Sequence, residues 1–366
     1  MAEDWSVGRV SSSLNQIPPT ENDSGGSVEQ KRPEDTAIAE PDLETEMSSI
    51  VEIGRRISHL RLCQIHSCKA CLSDFSDILS RIRKYRGSAT QKLLEIGFLE
   101  IFQQVLRAYY NKTVTVEGEI SVKSSMHAII YTCSTVAIMT DVSSVACRKV
   151  IHLELHIDII ISLRNGSLDP RQIHQSPDSD LCDLVYYLML VLYNVVQLAA
   201  EARELYREQD IIEVIQRFRI GTSNLLSCLA LMLLAWVISD EENYILNSND
   251  EDFSLLNQEL KSSLDEVPHR SKQRYKAVEL LAAMNKLVVN DANKQRFVKS
   301  GGLSSYVAFL EPHFDAEEQF LAAQGLWILA FKCAEEIKKE KTCLESKQCP
   351  NRIGLLDIHV DLHLYT

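Results

Sequence analysis

The sequence predicts an all-α fold, a superhelical solenoid of similar helical units that follows a disordered acidic N-terminal tail. Three observations predict it. Apolar residues recur at the three- and four-residue spacings of one helix face through most of the chain after residue 48. One order of segments returns several times: a long apolar helix, an acidic or Asn-containing elbow, a basic helix start, then a shorter apolar helix. The spacing of these returns, roughly 40 to 55 residues, is that of stacked helical repeats.

The clearest unit runs from Asn293 to Glu335. Its first part carries Phe297, Val298, Leu303, Tyr306, Val307 and Leu310. Its second carries Phe320, Leu321, Ala323, Leu326, Trp327, Leu329, Ala330 and Cys333, all expected on one buried face. Gly301-Gly302 interrupts the first part and restarts it at a new angle, since glycine enters dihedrals that cost other residues energy. Leu93, Leu94, Gly97, Leu99 and Phe102 fall in step with Phe297, Val298, Gly301, Leu303 and Tyr306. Further long apolar runs lie at 124–140, 182–200, 222–239 and 272–289.

The stretch NKQRFVKSGGLSSYVAFL followed by EEQFLAAQGLWILAF resembles an armadillo repeat: a basic helix start, an apolar pair, Gly-Gly, a Leu-rich helix, then Ala-Ala and Leu-Trp-x-Leu-Ala. The resemblance implies an armadillo-like helical repeat domain over 49–345, and protein partners. It does not carry a peptide groove with it. Armadillo proteins that grip extended peptides line the groove with an Asn late in the long helix of many repeats. Here Asn194 stands at such a place, whereas Ile328 and Lys286 stand at the corresponding places of two other units.

Residues 1–48 hold Pro18-Pro19, Gly25-Gly26, Pro33, Pro41 and many Ser, Glu and Asp. Such a stretch buries too little apolar area to offset its chain entropy and reads as a disordered acidic tail. Residues 50–85 read as an atypical capping element. Three polar stretches, 111–123, 165–180 and 247–269, read as inserted loops. The acidic third loop, Asn247–His269, is the best single candidate for a contact surface, with a plain solvated linker as the preferred reading.

The 366 residues carry a formal net charge of −13, which argues against a general binder of nucleic acid or of anionic membrane. The opening MAEDWSVGRV has no apolar core of a signal peptide, so a cytoplasmic location is expected. Cys133, Cys147, Cys182, Cys228 and Cys333 sit singly in apolar runs, as reduced core cysteines do. Cys63, His66, Cys68 and Cys71 could suggest zinc. Cys68 and Cys71, however, continue the apolar stripe of Leu72, Phe75, Ile78, Leu79 and Ile82, and no second cluster completes a site. The run 220–239 approaches bilayer length, but Thr222, Ser223, Asn224 and Ser227 interrupt it, so a buried central helix is expected. No motif for a catalytic site is found, and no cofactor, catalytic residue or metal ligand is assigned.

Residues 346–366 form a short tail. Ile358, Val360, Leu362 and Leu364 alternate with His359, Asp361 and His363. That alternation is strand periodicity and would place the three polar residues on one face, where they could hold a metal. A non-native or truncated tail is the preferred reading. The ending also gives a loose resemblance to animal signalling proteins that place an armadillo array before a TIR domain. It implies a regulatory, autoinhibitory portion without its effector. The function expected is a non-enzymatic protein-interaction scaffold, with other proteins as partners, no nucleic acid, no membrane insertion, and self-association as a further option.

Overall fold

The computed structural model describes residues 43–58, 69–110, 119–165, 168, 170–175, 179–219, 223–239, 242, 250–264 and 275–346. Contacts divide the chain into two units, Met1–Pro41 and Asp42–Thr366, and every described residue lies in the second. All regular elements among the described residues are helices: α1 (Leu43–Ser58), α2 (Lys69–Glu95), α3 (Phe98–Tyr110), α4 (Glu119–Val142), α5 (Ser144–His152), α6 (Leu155–Arg164), α7 (Pro170–Gln175), α8 (Asp180–Leu198), α9 (Ala202–Arg207), α10 (Ile211–Arg219), α11 (Asn224–Val237), α12 (Asp250–Ser262), α13 (Ala277–Leu287), α14 (Asp291–Lys299), α15 (Gly302–Ala308) and α16 (Ala316–Ser346).

Two rows organise these helices. The longer ones pack in the sequence α2, α4, α8, α11, α13, α16, each against the next. The shorter ones follow alongside: α3 against α6, α6 against α10, and α12 against α14 and α15. A unit is therefore short helix, short helix, long helix, seen in α5–α6–α8, α9–α10–α11 and α14–α15–α16. This is the all-α, armadillo-like solenoid that the repeats imply.

The corner between the first two helices of a unit has one conformation throughout. Gly97, Glu154, Asp210 and Gly301 all have positive φ, at 74, 56, 53 and 83°, and they are the positive-φ residues of the described chain. Each stands between a helix with a basic residue in its last turn and the next helix. The left-handed residue ends the first helix and lets the chain turn before the second begins. Glycine enters this region freely, whereas a side chain adds steric cost. Two corners use glycine and were expected. The two carboxylate corners carry no glycine signal.

Apolar periodicity supplies the core. Within α8, Leu184, Val185, Leu188, Met189, Val191 and Leu192 are fully buried, and within α11 so are Cys228, Leu229, Ala230, Met232 and Leu233. Both helices lie between two neighbours, so nearly every side faces protein. Ser179 and Ser223 cap them, their hydroxyls accepting from the N–H of Cys182 (3.3 Å) and Leu226 (3.4 Å). At the far end of α11, Arg203 donates to the carbonyls of Val237 (3.3 Å) and Ile238 (3.0 Å), satisfying groups the helix leaves open. The α8 helix is long and apolar enough to cross a membrane, yet 67% of its most apolar window is buried among the other helices. The uncharged run 220–239 contains helix α11, buried as expected.

Cys133, Cys147, Cys182, Cys228 and Cys333 are buried and unbridged. Burial pushes the Cys133 and Cys228 thiols well up, which disfavours the reactive thiolate.

Several expectations need correction. The stretch expected as an acidic loop, 247–269, contains helix α12. Phe253, Leu256 and Leu260 are its buried face, and Asp252 is neutralised by Arg219 of α10 at 3.0 Å. Residues 119–123, expected in a polar insertion, already belong to α4. The loop 165–180 includes α7, with Leu168 and Ile173 buried. Helix α1 begins at Leu43, inside the stretch expected as tail, because Met47, Ile50, Ile53 and Ile57 form its buried side.

Candidate functional site

Three features bear on function: buried asparagines, a charged junction, and the open face of the last long helix.

Asn194 lies in α8 and is only 4% exposed. Its Nδ2 donates to the carbonyl of Ala137 (2.9 Å) and to Thr140 Oγ1 (3.2 Å), both in α4. It joins adjacent long helices and does not line a peptide groove. Asn285 of α13 does the same work at the other end. Its Nδ2 donates to the carbonyl of Leu321 in α16 (2.8 Å), and its Oδ1 accepts from Tyr306 Oη in α15 (2.8 Å). Asn257 of α12 donates to the Ser300 carbonyl (2.7 Å) and accepts from Ser305 Oγ (2.6 Å). Each of these buried amides donates to a backbone carbonyl of a neighbouring element, as interior polar groups need partners. Gly325 permits the approach of α16: a Cβ there would collide with the Tyr306 ring and Asn285 Oδ1. Lys286 and Ile328 stand at the other groove-like positions. Lys286 Nζ stands 4.2 Å from the centre of the Trp236 ring, and Ile328 packs against the core.

The charged junction sits where α13 begins. Lys276 Nζ reaches Asp141 Oδ1 at the end of α4 (3.0 Å), and Arg86 of α2 reaches Asp141 Oδ2 (3.2 Å). The ring of Tyr275, just before, lies 6.4 Å from that of Tyr186 in α8, and Tyr193 Oη contacts the carbonyl of Glu279 at 3.5 Å. The start of α13 thus meets α4 and α8 as well as α11, where Tyr275 Oη donates to the Leu225 carbonyl at 2.7 Å. Glu279 accepts from the Lys276 N–H at 3.0 Å. Burial raises its carboxyl above the usual range, and its bond from Lys276 only partly opposes this.

The third feature is the outer side of α16. Ala322, Leu326, Leu329 and Ile337 are buried against the preceding helices. Phe320, Trp327 and Phe331 are 61%, 46% and 59% exposed, contrary to the expectation that Phe320 and Trp327 join the buried face. The three fall at helical spacing on one stripe. The Trp327 and Phe331 rings meet edge to face, centroids 5.0 Å apart at 85°. Lys294 and Lys332 both bond Asp291 beside the stripe, at 2.8 and 3.3 Å, which holds its carboxyl below the usual range. The physical reason for the exposure is position: α13, α14 and α15 pack against α16, and the three rings stay largely exposed on its remaining side.

His359, Asp361, His363, Cys63, His66 and Cys68 lie outside the described residues, as does the ending that carried the likeness to TIR-domain proteins. Cys71 lies in the first turn of α2. Among the described residues, no three His, Cys, Asp or Glu gather as a metal site would require.

No family model matches the chain, and no curated protein matches it. Solved structures do. An engineered protein from a structural genomics consortium is 14% identical, with a TM-score of 0.46 over 77% of this chain and 97% of that one. A designed armadillo repeat protein in complex with peptide (KR)4 is 14% identical, with a TM-score of 0.41 over 76% of this chain and 99% of that one. A second designed armadillo repeat protein is 13% identical, with a TM-score of 0.41 over 71% and 98% of the two chains.

Proposed function

We propose that the chain is a non-enzymatic scaffold that binds other proteins through its row of long helices. The observation that carries this reading is the stripe of Phe320, Trp327 and Phe331, three large apolar side chains held exposed on one rigid helix. Exposed aromatic groups clustered on a fixed surface mark interaction sites, and Trp and Phe supply much of the affinity at such sites. The asparagine bonds and the Gly325 approach fix the α16 backbone, so little ordering cost attends binding.

The test is quantitative affinity purification from native cells with the wild-type chain and with Trp327→Ala/Phe331→Ala. The expected result is a stoichiometric protein partner retained by the wild type and reduced at least tenfold with the variant. Recovery of no stoichiometric partner, or equal recovery by both, overturns the reading.

A further inference from the structure

We propose that a polar cavity between α12 and the end of α14 is a binding site for a small phosphorylated polyol, a free molecule carrying one phosphate monoester and several hydroxyl groups.

The cavity holds about 340 Å³ and is lined by Ser254, Asn257, Gln258, Lys261 and Ser262 of α12 and by Ser300, which follows α14. That volume lies at the lower end of the range for small-molecule sites. Helical spacing builds the wall. Its five α12 residues fall three and four apart, beside the buried face of Phe253, Leu256 and Leu260. Two of the lining nitrogens converge. A Cβ placed on Gly301 would stand 3.5 Å from Lys261 Nζ and 3.6 Å from Asn257 Nδ2. The left-handed backbone there, φ 83°, disfavours any side chain, so the corner keeps the space between the two nitrogens clear.

The donors call for an anion. Lys261 is exposed and has no ion-pair partner among the described residues. Asn257 is 2% exposed. Its Oδ1 accepts from Ser305 Oγ, and one Nδ2 hydrogen goes to the Ser300 carbonyl, which can only accept and so fixes the orientation of the amide. The second Nδ2 hydrogen has no acceptor among the described residues. A buried donor left open costs free energy that an arriving ligand oxygen recovers. No Asp or Glu lines the cavity, in a chain whose net charge is −13. An ammonium and an amide N–H converging on one space suit phosphate oxygens.

The hydroxyls call for the rest of the molecule. Ser262 Oγ donates to the Gln258 carbonyl at 3.0 Å, and Ser300 Oγ donates to the Phe297 carbonyl at 2.7 Å. With their protons so used, both oxygens can only accept from a ligand. Sugar-type hydroxyls supply the donors they need, and ionised phosphate oxygens do not. The negative charge of the whole chain favours a free molecule over the same group on an anionic membrane.

The experiment is calorimetric titration of the full chain with glucose 6-phosphate, with glucose and with inorganic phosphate, all at one ionic strength. The expected result is saturable binding of one glucose 6-phosphate per chain, with inorganic phosphate and glucose each roughly tenfold weaker or more. Lys261→Ala removes an exposed cation, and Ser262→Asp adds a carboxylate to the cavity. Each is expected to weaken glucose 6-phosphate at least tenfold while circular dichroism stays unchanged. Lys338→Ala, an exposed lysine of α16, is expected to bind as the wild type does. No saturable binding at millimolar glucose 6-phosphate overturns the proposal, as does undiminished binding by Lys261→Ala. Equal binding of inorganic phosphate overturns it by assigning a bare-anion site. Retention on phosphatidylcholine vesicles containing phosphatidylinositol 4-phosphate, without binding of free glucose 6-phosphate, overturns it by assigning a lipid headgroup. None of these readouts needs a partner protein, so failure here is separate from failure of the scaffold reading.

Discussion

The middle and the end of the helix row put the same kinds of residue to opposite uses. In α8 and α11, large apolar side chains at helical spacing are buried on nearly every side, because each helix stands between two neighbours. In α16 the same spacing yields a buried side of Leu326 and Leu329 and an open side of Phe320, Trp327 and Phe331. Hydrophobicity alone does not separate the two cases. Position in the row does, since each unit of a solenoid is covered only by its immediate neighbours.

The sharpest way to break this comparison is to truncate one residue of each kind. Leu229→Ala, in the fully buried middle of α11, is expected to cost about 2–5 kcal/mol in urea or guanidinium unfolding. Trp327→Ala is expected to cost roughly 1 kcal/mol or less despite removing a larger side chain. Equal costs would mean that α16 is covered as completely as α11.

The next effect concerns what anchors the last helix. Asn285→Ala leaves the Leu321 carbonyl and the Tyr306 hydroxyl without their partner. A loss of about 1–3 kcal/mol is expected by the same measurement. A loss near zero would show that the amide does not hold α16 in place.

The corners allow a smaller and more specific comparison, because they share a conformation but not a residue type. Gly301→Ala is expected to lose roughly 1–2 kcal/mol, having gained a side chain in the left-handed region. Glu154→Gly is expected to gain up to about 1 kcal/mol, less the added freedom of the unfolded chain. Opposite signs in thermal unfolding support a common corner, and a loss in both would break that equivalence.

The smallest effect is one of pH. Burial raises the Glu279 carboxyl, so the folded chain favours its neutral form. Its contribution is therefore most favourable below the ordinary carboxylate range and is lost as pH rises through the raised value. Glu279→Gln is expected to raise stability at pH 7 and to leave it unchanged near pH 4. Glu242 has the opposite sign. The bidentate bond from Arg207 lowers its carboxyl to about 2, so its contribution is present above the ordinary range and falls away as pH drops towards 2.

Much of this architecture is legible in the sequence, and the parts that are not have physical reasons. Helices α8, α11, α13 and α16 announce themselves because Leu, Val and Ile dominate at helical spacing. Gly97 and Gly301 mark their corners because glycine is the residue that corner favours. Glu154 and Asp210 fill the same corner invisibly, since an acidic residue between helices suits many conformations. Helix α12 was hidden by its acidic start, yet Phe253, Leu256 and Leu260 held the three- and four-residue spacing, and Arg219 from another helix offsets Asp252. Asn194 could be placed on a long helix, but its direction could not, because whether an amide points outward or into a neighbour depends on packing. The open face of α16 was the least legible feature. Its residues match a buried helix, and only the arrangement of neighbours leaves them uncovered.

Amide hydrogen exchange on the full chain tests the central claim most directly. A row of stacked units loses its end before its middle, since the end has one neighbour to stabilise it. The account predicts that amides of α8 and α11 exchange slowest, at the free energy of global unfolding, and that those of α16 beyond Cys333 exchange first among the long helices. Uniform protection along the row, or slowest exchange in α16, would contradict it.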